Sequence, residues 1–170
     1  RIGICYCNII GGQDELVFDG RSMILDNSGN VVAYGKEFEE DLLIKNINFK
    51  RGRSSVCLSK KDNSHYLEKV LSALCLGLKD YVYKNNFSKV LLGISGGIDS
   101  ALVAAIAVKA LGKKNVLGIA LPTQYSSDKS LNLAKELSRN LGFKLRVANI
   151  QGIFESTNKL LTDTIYGKTA

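Results

Sequence analysis

The stretch LLGISGGIDSALVAAIAV, Leu91 to Val108, constrains the fold more than any other part of the chain. An apolar run is broken by Ser95, Gly96, Gly97, Asp99 and Ser100, and then returns at once to Ala, Val and Ile. Lys89 to Ile94 has the length and bounds of a buried strand, and Ile98 to Leu111 the length of a helix. The alternation continues. Asn115 to Leu121 and Phe143 to Ile150 read as strands, and Ser127 to Leu141 and Ile153 to Leu161 as helices. Strands alternating with helices of this length predict right-handed βαβ units, hence an α/β fold with a parallel sheet covered on both faces. The only proline, Pro122, falls where the second strand ends.

The preceding residues obey a different rule. From Ile2 to Asn48, short apolar runs (Leu16-Val17-Phe18, Met23-Ile24-Leu25, Val31-Val32-Ala33-Tyr34) are punctuated by Gly11-Gly12, Asp19-Gly20 and Asp26-Asn27-Ser28-Gly29-Asn30. They predict an antiparallel meander with turns at those points. Lys50 to Asn63 is polar and is the candidate linker. Leu67, Val70, Leu71, Leu74, Leu78, Tyr81 and Val82 then recur at helical spacing, predicting a helix from about Ser64 to Asn85, with Ser64 and Glu68 in its cap region. Charge divides the chain in the same way. Residues 1 to 50 hold five Lys/Arg against eight Asp/Glu, a net −3, and the remainder eighteen against eight, a net +10.

The basic residues are scattered and no aromatic-rich RNA-binding signature interrupts them, so a solvated lysine-rich surface is favoured over a nucleic-acid site. No apolar run reaches bilayer length and Arg1 opens no signal peptide, so the expectation is a cytoplasmic piece of a soluble protein. Cys5, Cys7, Cys57 and Cys75 form no C-x-x-C pair, and His65 is the single histidine. A zinc site and a Cys/His catalytic pair are therefore disfavoured, and the cysteines are expected to be reduced, small, buried residues.

The loop from Gly93 to Ser100 leaves a strand and enters a helix, where ligands of open parallel sheets bind. Gly96 and Gly97 permit a tight turn and close approach to the backbone. First-turn N–H groups, with the hydroxyls of Ser95 and Ser100, suit anionic oxygens. The stretch has neither G-x-x-x-x-G-K-[ST] nor G-x-G-x-x-G, which excludes two other phosphate loops. Asp99 puts a carboxylate beside an anion site, a conflict that Mg²⁺ bridging it to phosphate resolves. The alternative is a plain tight turn with Asp99 as an acid favoured by the helix dipole.

Gly93-Ile94-Ser95-Gly96-Gly97-Ile98-Asp99-Ser100 resembles the pyrophosphate loop of the ATP pyrophosphatases, a match shared with GMP synthetases, asparagine synthetases and tRNA-modifying ligases. Leu71 to Val108 and Leu121-Pro122-Thr123-Gln124-Tyr125-Ser126-Ser127 are similar to glutamine-dependent NAD⁺ synthetases. Tyr6-Cys7-Asn8, Gly11 to Gly20 and Phe38 to Leu42 resemble the late part of those enzymes' nitrilase-like glutaminase domain.

The resemblance implies the following. Residues 1–50 end a nitrilase-like α/β sandwich, 51–63 link, and 64–170 begin a Rossmann-like domain of the adenine nucleotide alpha hydrolase type. The activity is ATP-dependent amidation of deamido-NAD⁺ through an adenylated intermediate, with ammonia from glutamine. Gly93, Ile94, Ser95, Gly96, Gly97, Ile98, Asp99 and Ser100 bind ATP phosphates, Leu121 and Pro122 lie near the adenosine, and Asp99 holds Mg²⁺. No nucleic-acid or membrane partner is implied, and the full-length enzyme is a homo-oligomer. The glutaminase Glu, Lys and Cys precede Arg1, and an EENIQAR-like substrate stretch follows Ala170, so no residue here is a glutaminase catalyst. The alternatives are another amide ligase of the superfamily, such as GMP synthetase, and a noncatalytic nucleotide-binding remnant.

Overall fold

Gly11 and Gly12, expected at a turn, lie instead within a strand, and the reason is a helix packed against them. The structure, a computed structural model, describes residues 2–46 and 65–165, which fall into two compact units divided after Asn86. In the first unit β2 (Ile10–Gln13) and β3 (Leu16–Asp19) form a hairpin that pairs Gly11 with Phe18 and Gly12 with Val17. The turn is made by Asp14 and Glu15, with Asp14 at φ 50°. Helix α1 (Tyr66–Lys84) crosses the glycines closely. A Cβ on Gly12 would stand 3.1 Å from the Gly77 Cα, and one on Gly11 2.7 Å from the Asp80 Oδ2. Gly in a strand interior here marks close backbone approach rather than a turn.

The same contact carries a polar clamp. The Gly12 N–H donates to Asp80 Oδ2 at 2.9 Å, and the Lys84 ammonium donates to the Gly12 carbonyl at 2.6 Å while pairing with Asp80 at 3.1 Å. Partial burial opposes ionisation of Asp80, but the Gly12 N–H and Lys84 outweigh it and hold the carboxyl below its ordinary value. A depressed folded-state pKa means that the clamp contributes stability above the unfolded value and loses it as pH falls through the folded one. The stability difference between the wild type and Asp80→Asn is therefore expected to be constant at neutral pH and to shrink below about pH 4. Denaturant unfolding from pH 7 to 3 checks this; a difference that grows on acidification would refute the clamp.

The remaining strands of this unit, β1 (Ile4–Tyr6), β4 (Met23–Leu25) and β5 (Val31–Tyr34), form an antiparallel sheet in the order β1-β4-β5, with a register shift between Ile24 and Leu25. The meander is thus split between two sheets. In the turn joining β4 to β5, Asp26 accepts from the N–H groups of Ser28 at 2.8 Å and Asn30 at 2.9 Å. These bonds, those from Asn30 foremost, lower its pKa. Cys5 and Cys7 are free, but exposed rather than buried: Cys5 lies in β1, which is exposed along its length, and Cys7 follows it. Cys75 is free and half-buried. The cap of α1 uses Glu68 as expected, with His65 as the N-cap residue. His65 Nδ1 accepts from the Leu67 N–H and the His65 N–H donates to Glu68, both at 3.3 Å. Ser64, Cys57 and the candidate linker lie outside the described residues.

In the second unit β6 (Val90–Gly93), β7 (Val116–Ala120) and β8 (Lys144–Val147) form a parallel sheet in chain order. Helices α2 (Ile98–Leu111) and α3 (Asp128–Leu141) make the crossovers, and α4 (Gln151–Ile165) follows β8. Sequential strands joined by right-handed crossovers put α2 and α3 on one face, where they touch each other. Their buried Ala104, Ala107, Leu111 and Ala134 form the core with Val116, Ala120 and Phe143. Ser138, buried among them, donates to the Phe143 carbonyl at 2.7 Å. The opposite face carries Leu91, 60% exposed, and the exposed Lys144 and Arg146. Among the described residues of this unit, helix cover is seen on the α2–α3 face, and the order β6-β7-β8 shows no reversal. No helix among the described residues is long and apolar enough to cross a membrane.

Candidate nucleotide site

β6 and β7 end level with each other, Gly93 opposite Ile119, and the Ile94 N–H extends the ladder by donating to the Ile119 carbonyl at 2.8 Å. Beyond these carboxyl ends the two chains diverge, β6 into the Ser95-Gly96-Gly97 turn and β7 into Leu121 to Ser127. Between them opens a pocket of about 530 Å³, lined by Gly93, Ile94 and Ser95 on one side and by Leu121, Pro122, Tyr125 and Ser127 on the other. This is the crevice position in which open α/β sheets bind ligands.

The turn is held by its own hydroxyls. Ser95 and Ser100 Oγ lie 3.1 Å apart. The Ser95 N–H donates to Ser100 Oγ, the Gly97 N–H to Ser95 Oγ, and the Ser100 hydroxyl to the Gly97 carbonyl. Gly97 is the N-cap of α2 and has no side chain to accept from the first turn. The N–H groups of Ile98, Asp99 and Ser100 thus start a helix with no intrahelical acceptor and no cap, a site for anionic oxygens. Gly96 sits at φ +82°, and a Cβ there would collide with the backbone of Ser130, standing 2.9 Å from its Cα. That contact sets the first turn of α3 beside the first turn of α2. At the start of α3, Ser127 Oγ accepts from the Ser130 N–H at 3.2 Å and lies 2.9 Å from Ser130 Oγ.

Asp99 is exposed in the first turn of α2, and its carboxylate makes no hydrogen bond or ion pair among the described residues. No group of three His, Cys, Asp or Glu side chains gathers as a metal-ligand set among those residues. One uncommitted carboxylate next to free N–H donors suits Mg²⁺, which is held by one or two carboxylates and completes its shell with waters and phosphates. It does not suit zinc, which needs three or four protein ligands.

Of the residues expected at the site, Gly93, Ile94, Ser95, Leu121 and Pro122 line the pocket, while Gly96 to Ser100 continue from Ser95 into α2. Tyr125, Ser126, Ser127, Ser130 and Leu131 also line it, and the sequence reading did not select them. The N-cap signal of Ser127 before a helical run could have found part of this wall.

The fold is an α/β domain whose candidate ligand crevice lies at the carboxyl ends of its parallel strands. The NAD synthase family model matches residues 70–169, and the chain belongs to that family. It is 36% identical to the glutamine-dependent NAD(+) synthetase of Thermotoga maritima, over 99% of this chain and 34% of the relative. The solved glutamine-dependent NAD⁺ synthetase of Acinetobacter baumannii, in complex with ADP, superposes with a TM-score of 0.83 at 31% identity, over 99% of this chain and 32% of that one. The NH3-dependent NAD synthetase of Campylobacter jejuni, in complex with nitrate, matches 55% of this chain and 40% of its own, with a TM-score of 0.51 and 35% identity. The chain spans about a third of the length of the curated relatives it matches. The second unit accordingly has the Rossmann-like parallel sheet of the adenine nucleotide alpha hydrolase type.

Proposed function

We propose that this chain carries the ATP site of an enzyme that amidates deamido-NAD⁺ to NAD⁺. The observation that carries this reading is the uncapped first turn of α2, whose free N–H groups open beside a pocket bounded by the ends of two parallel strands. Triphosphate oxygens accept from the N–H groups of Ile98, Asp99 and Ser100, and the adenosine lies against Leu121 and Pro122. Ser95 and Ser100 keep the turn in shape through their mutual bonds. Asp99 would hold Mg²⁺, which supplies positive charge against the departing pyrophosphate.

In the reaction the nicotinate carboxylate oxygen attacks the α-phosphorus of ATP, a carboxylate–phosphorus bond forms, and the bond to pyrophosphate breaks. Ammonia then attacks the acyl carbon, AMP leaves with the former carboxylate oxygen, and the nitrogen releases its proton to solvent. The turn acts on the first step, where charge grows on the oxygens of the leaving pyrophosphate. Preorganised N–H donors stabilise that charge without reorganising.

The strands β1 to β5 of the first unit are read as the end of a nitrilase-like glutaminase domain, with residues 1–50, 51–63 and 64–170 as the three parts of the chain, so that helix α1 is assigned to the third part although it packs in the first unit. A relative named for glutamine covers 99% of the chain, whereas one named for ammonia covers 55%, which supports that division. Helix α1 stands at the join: the family match starts within it, at Val70, and it packs against β2 and β3.

The test of the reaction is NAD⁺ formation from deamido-NAD⁺, ATP and ammonium by the protein carrying this chain. AMP and pyrophosphate are expected in equal amounts; ADP and phosphate as products would contradict the adenylated intermediate. For the metal, Mg²⁺ is expected to tighten ATP binding in the wild type. Asp99→Ala should remove that dependence without unfolding the chain. Equal magnesium dependence in both, measured by nucleotide titration, would remove Asp99 from the metal site.

A further inference from the structure

The wall of the pocket formed by Leu121 to Ser127 is closed on itself by a tight turn. The Ser126 N–H donates to the Thr123 carbonyl at 2.9 Å, and the Thr123 N–H to Ser126 Oγ at 3.0 Å. Two contacts tie this turn to α4, some thirty residues further along the chain. Gln151 Oε1 accepts from the backbone N–H of Gln124 at 2.9 Å. Its amide is oriented for this by Glu155, whose Oε1 accepts from Gln151 Nε2 at 2.7 Å. One residue on, the ring of Tyr125, which lines the pocket, meets the ring of Phe154 edge to face, with centroids 5.5 Å apart at 71°.

We propose that α4 is a positioning element for the nucleotide, with Gln151 and Phe154 setting the Leu121–Ser127 wall through the Gln124 N–H and the Tyr125 ring. The inference rests on the reading of the pocket as an ATP site. A loop between a strand and a helix gains conformations when its ties are cut, and a ligand that needs one of them then binds more weakly. The effect is selective. ATP spans both the wall and the α2 turn, whereas inorganic pyrophosphate needs the turn alone. Neither Gln151 nor Phe154 lines the pocket, so each acts through another residue.

The test is titration of the full chain with ATP and, separately, with inorganic pyrophosphate. Gln151→Ala and Phe154→Ala should each weaken ATP about fivefold, the scale of one lost hydrogen bond or aromatic contact, and leave pyrophosphate within about twofold. The swap Gln151→Glu with Glu155→Gln keeps an acceptor for Gln124 and a donor to hold it, and should restore ATP binding to within about twofold. Equal weakening of both ligands, with a fall in Tm and no rescue by the swap, would reduce α4 to a stabilising helix. Unchanged ATP affinity in both single variants, with Gly97→Val still weakening it at least about tenfold, overturns the positioning role alone. Unchanged affinity in Gly97→Val overturns the ATP reading beneath it.

Discussion

Gly96→Ala is expected to lower the unfolding free energy of the second unit by about 2–5 kcal/mol, since a side chain at positive φ costs about 1–2 kcal/mol and overpacking a further 1–3. The backbone stands at φ +82° and the new methyl group would meet the Ser130 carbonyl and Cα, atoms of a helix backbone that cannot swing aside as a flexible side chain would. The clash separates the first turns of α2 and α3, so nucleotide binding should fall together with stability. Denaturant unfolding gives the number. A change below about 0.5 kcal/mol would mean that the two helix starts are not packed as described.

Gly97→Val is expected to have the opposite signature. At φ −87° and ψ 165° the backbone already suits a β-branched residue, and a Cβ there meets only Ser95 Oγ, at the ordinary distance of 3.4 Å. Stability should fall by no more than about 1 kcal/mol, the scale of a changed N-cap residue. The branched side chain, however, stands at the entrance to the free first-turn N–H groups, so ATP affinity should drop at least about tenfold through lost access to the anion site. Nucleotide titration beside thermal unfolding separates the two adjacent glycines. Parallel losses of stability and binding at Gly97 would make the turn structural in both positions.

The contrast between these glycines marks what the sequence reveals and what it hides. The Ser-Gly-Gly turn between an apolar strand and an apolar helix is a local signal, and α2 spans the expected Ile98 to Leu111. The strand β4 and the β5 run Val31 to Tyr34 were legible for the same reason. Which of the two glycines meets another backbone was not legible, because Ser130 reaches Gly96 only through the parallel pairing of β6 with β7. The Gly11-Gly12 pair misled for a related reason. Glycines admit turns and close contacts alike, and here the contact is with α1, more than sixty residues away. Chain-order strand pairing, which leaves Leu91, Lys144 and Arg146 on an open face, is likewise a long-range property. The second wall of the pocket was half legible: Leu121 and Pro122 follow from the end of a strand, whereas Tyr125 depends on its packing against Phe154.

The central claim is that the first turn of α2 binds the phosphates of ATP, and backbone amide resonances report it most directly. In ¹⁵N-labelled chain, addition of MgATP is expected to shift the amides of Ile98, Asp99 and Ser100 most, with a second group of shifts at Leu121 and Tyr125. Inorganic pyrophosphate should reproduce the first group alone. Saturating MgATP that leaves the Gly96 to Ser100 amides unmoved, or moves residues of the first unit instead, would contradict the account.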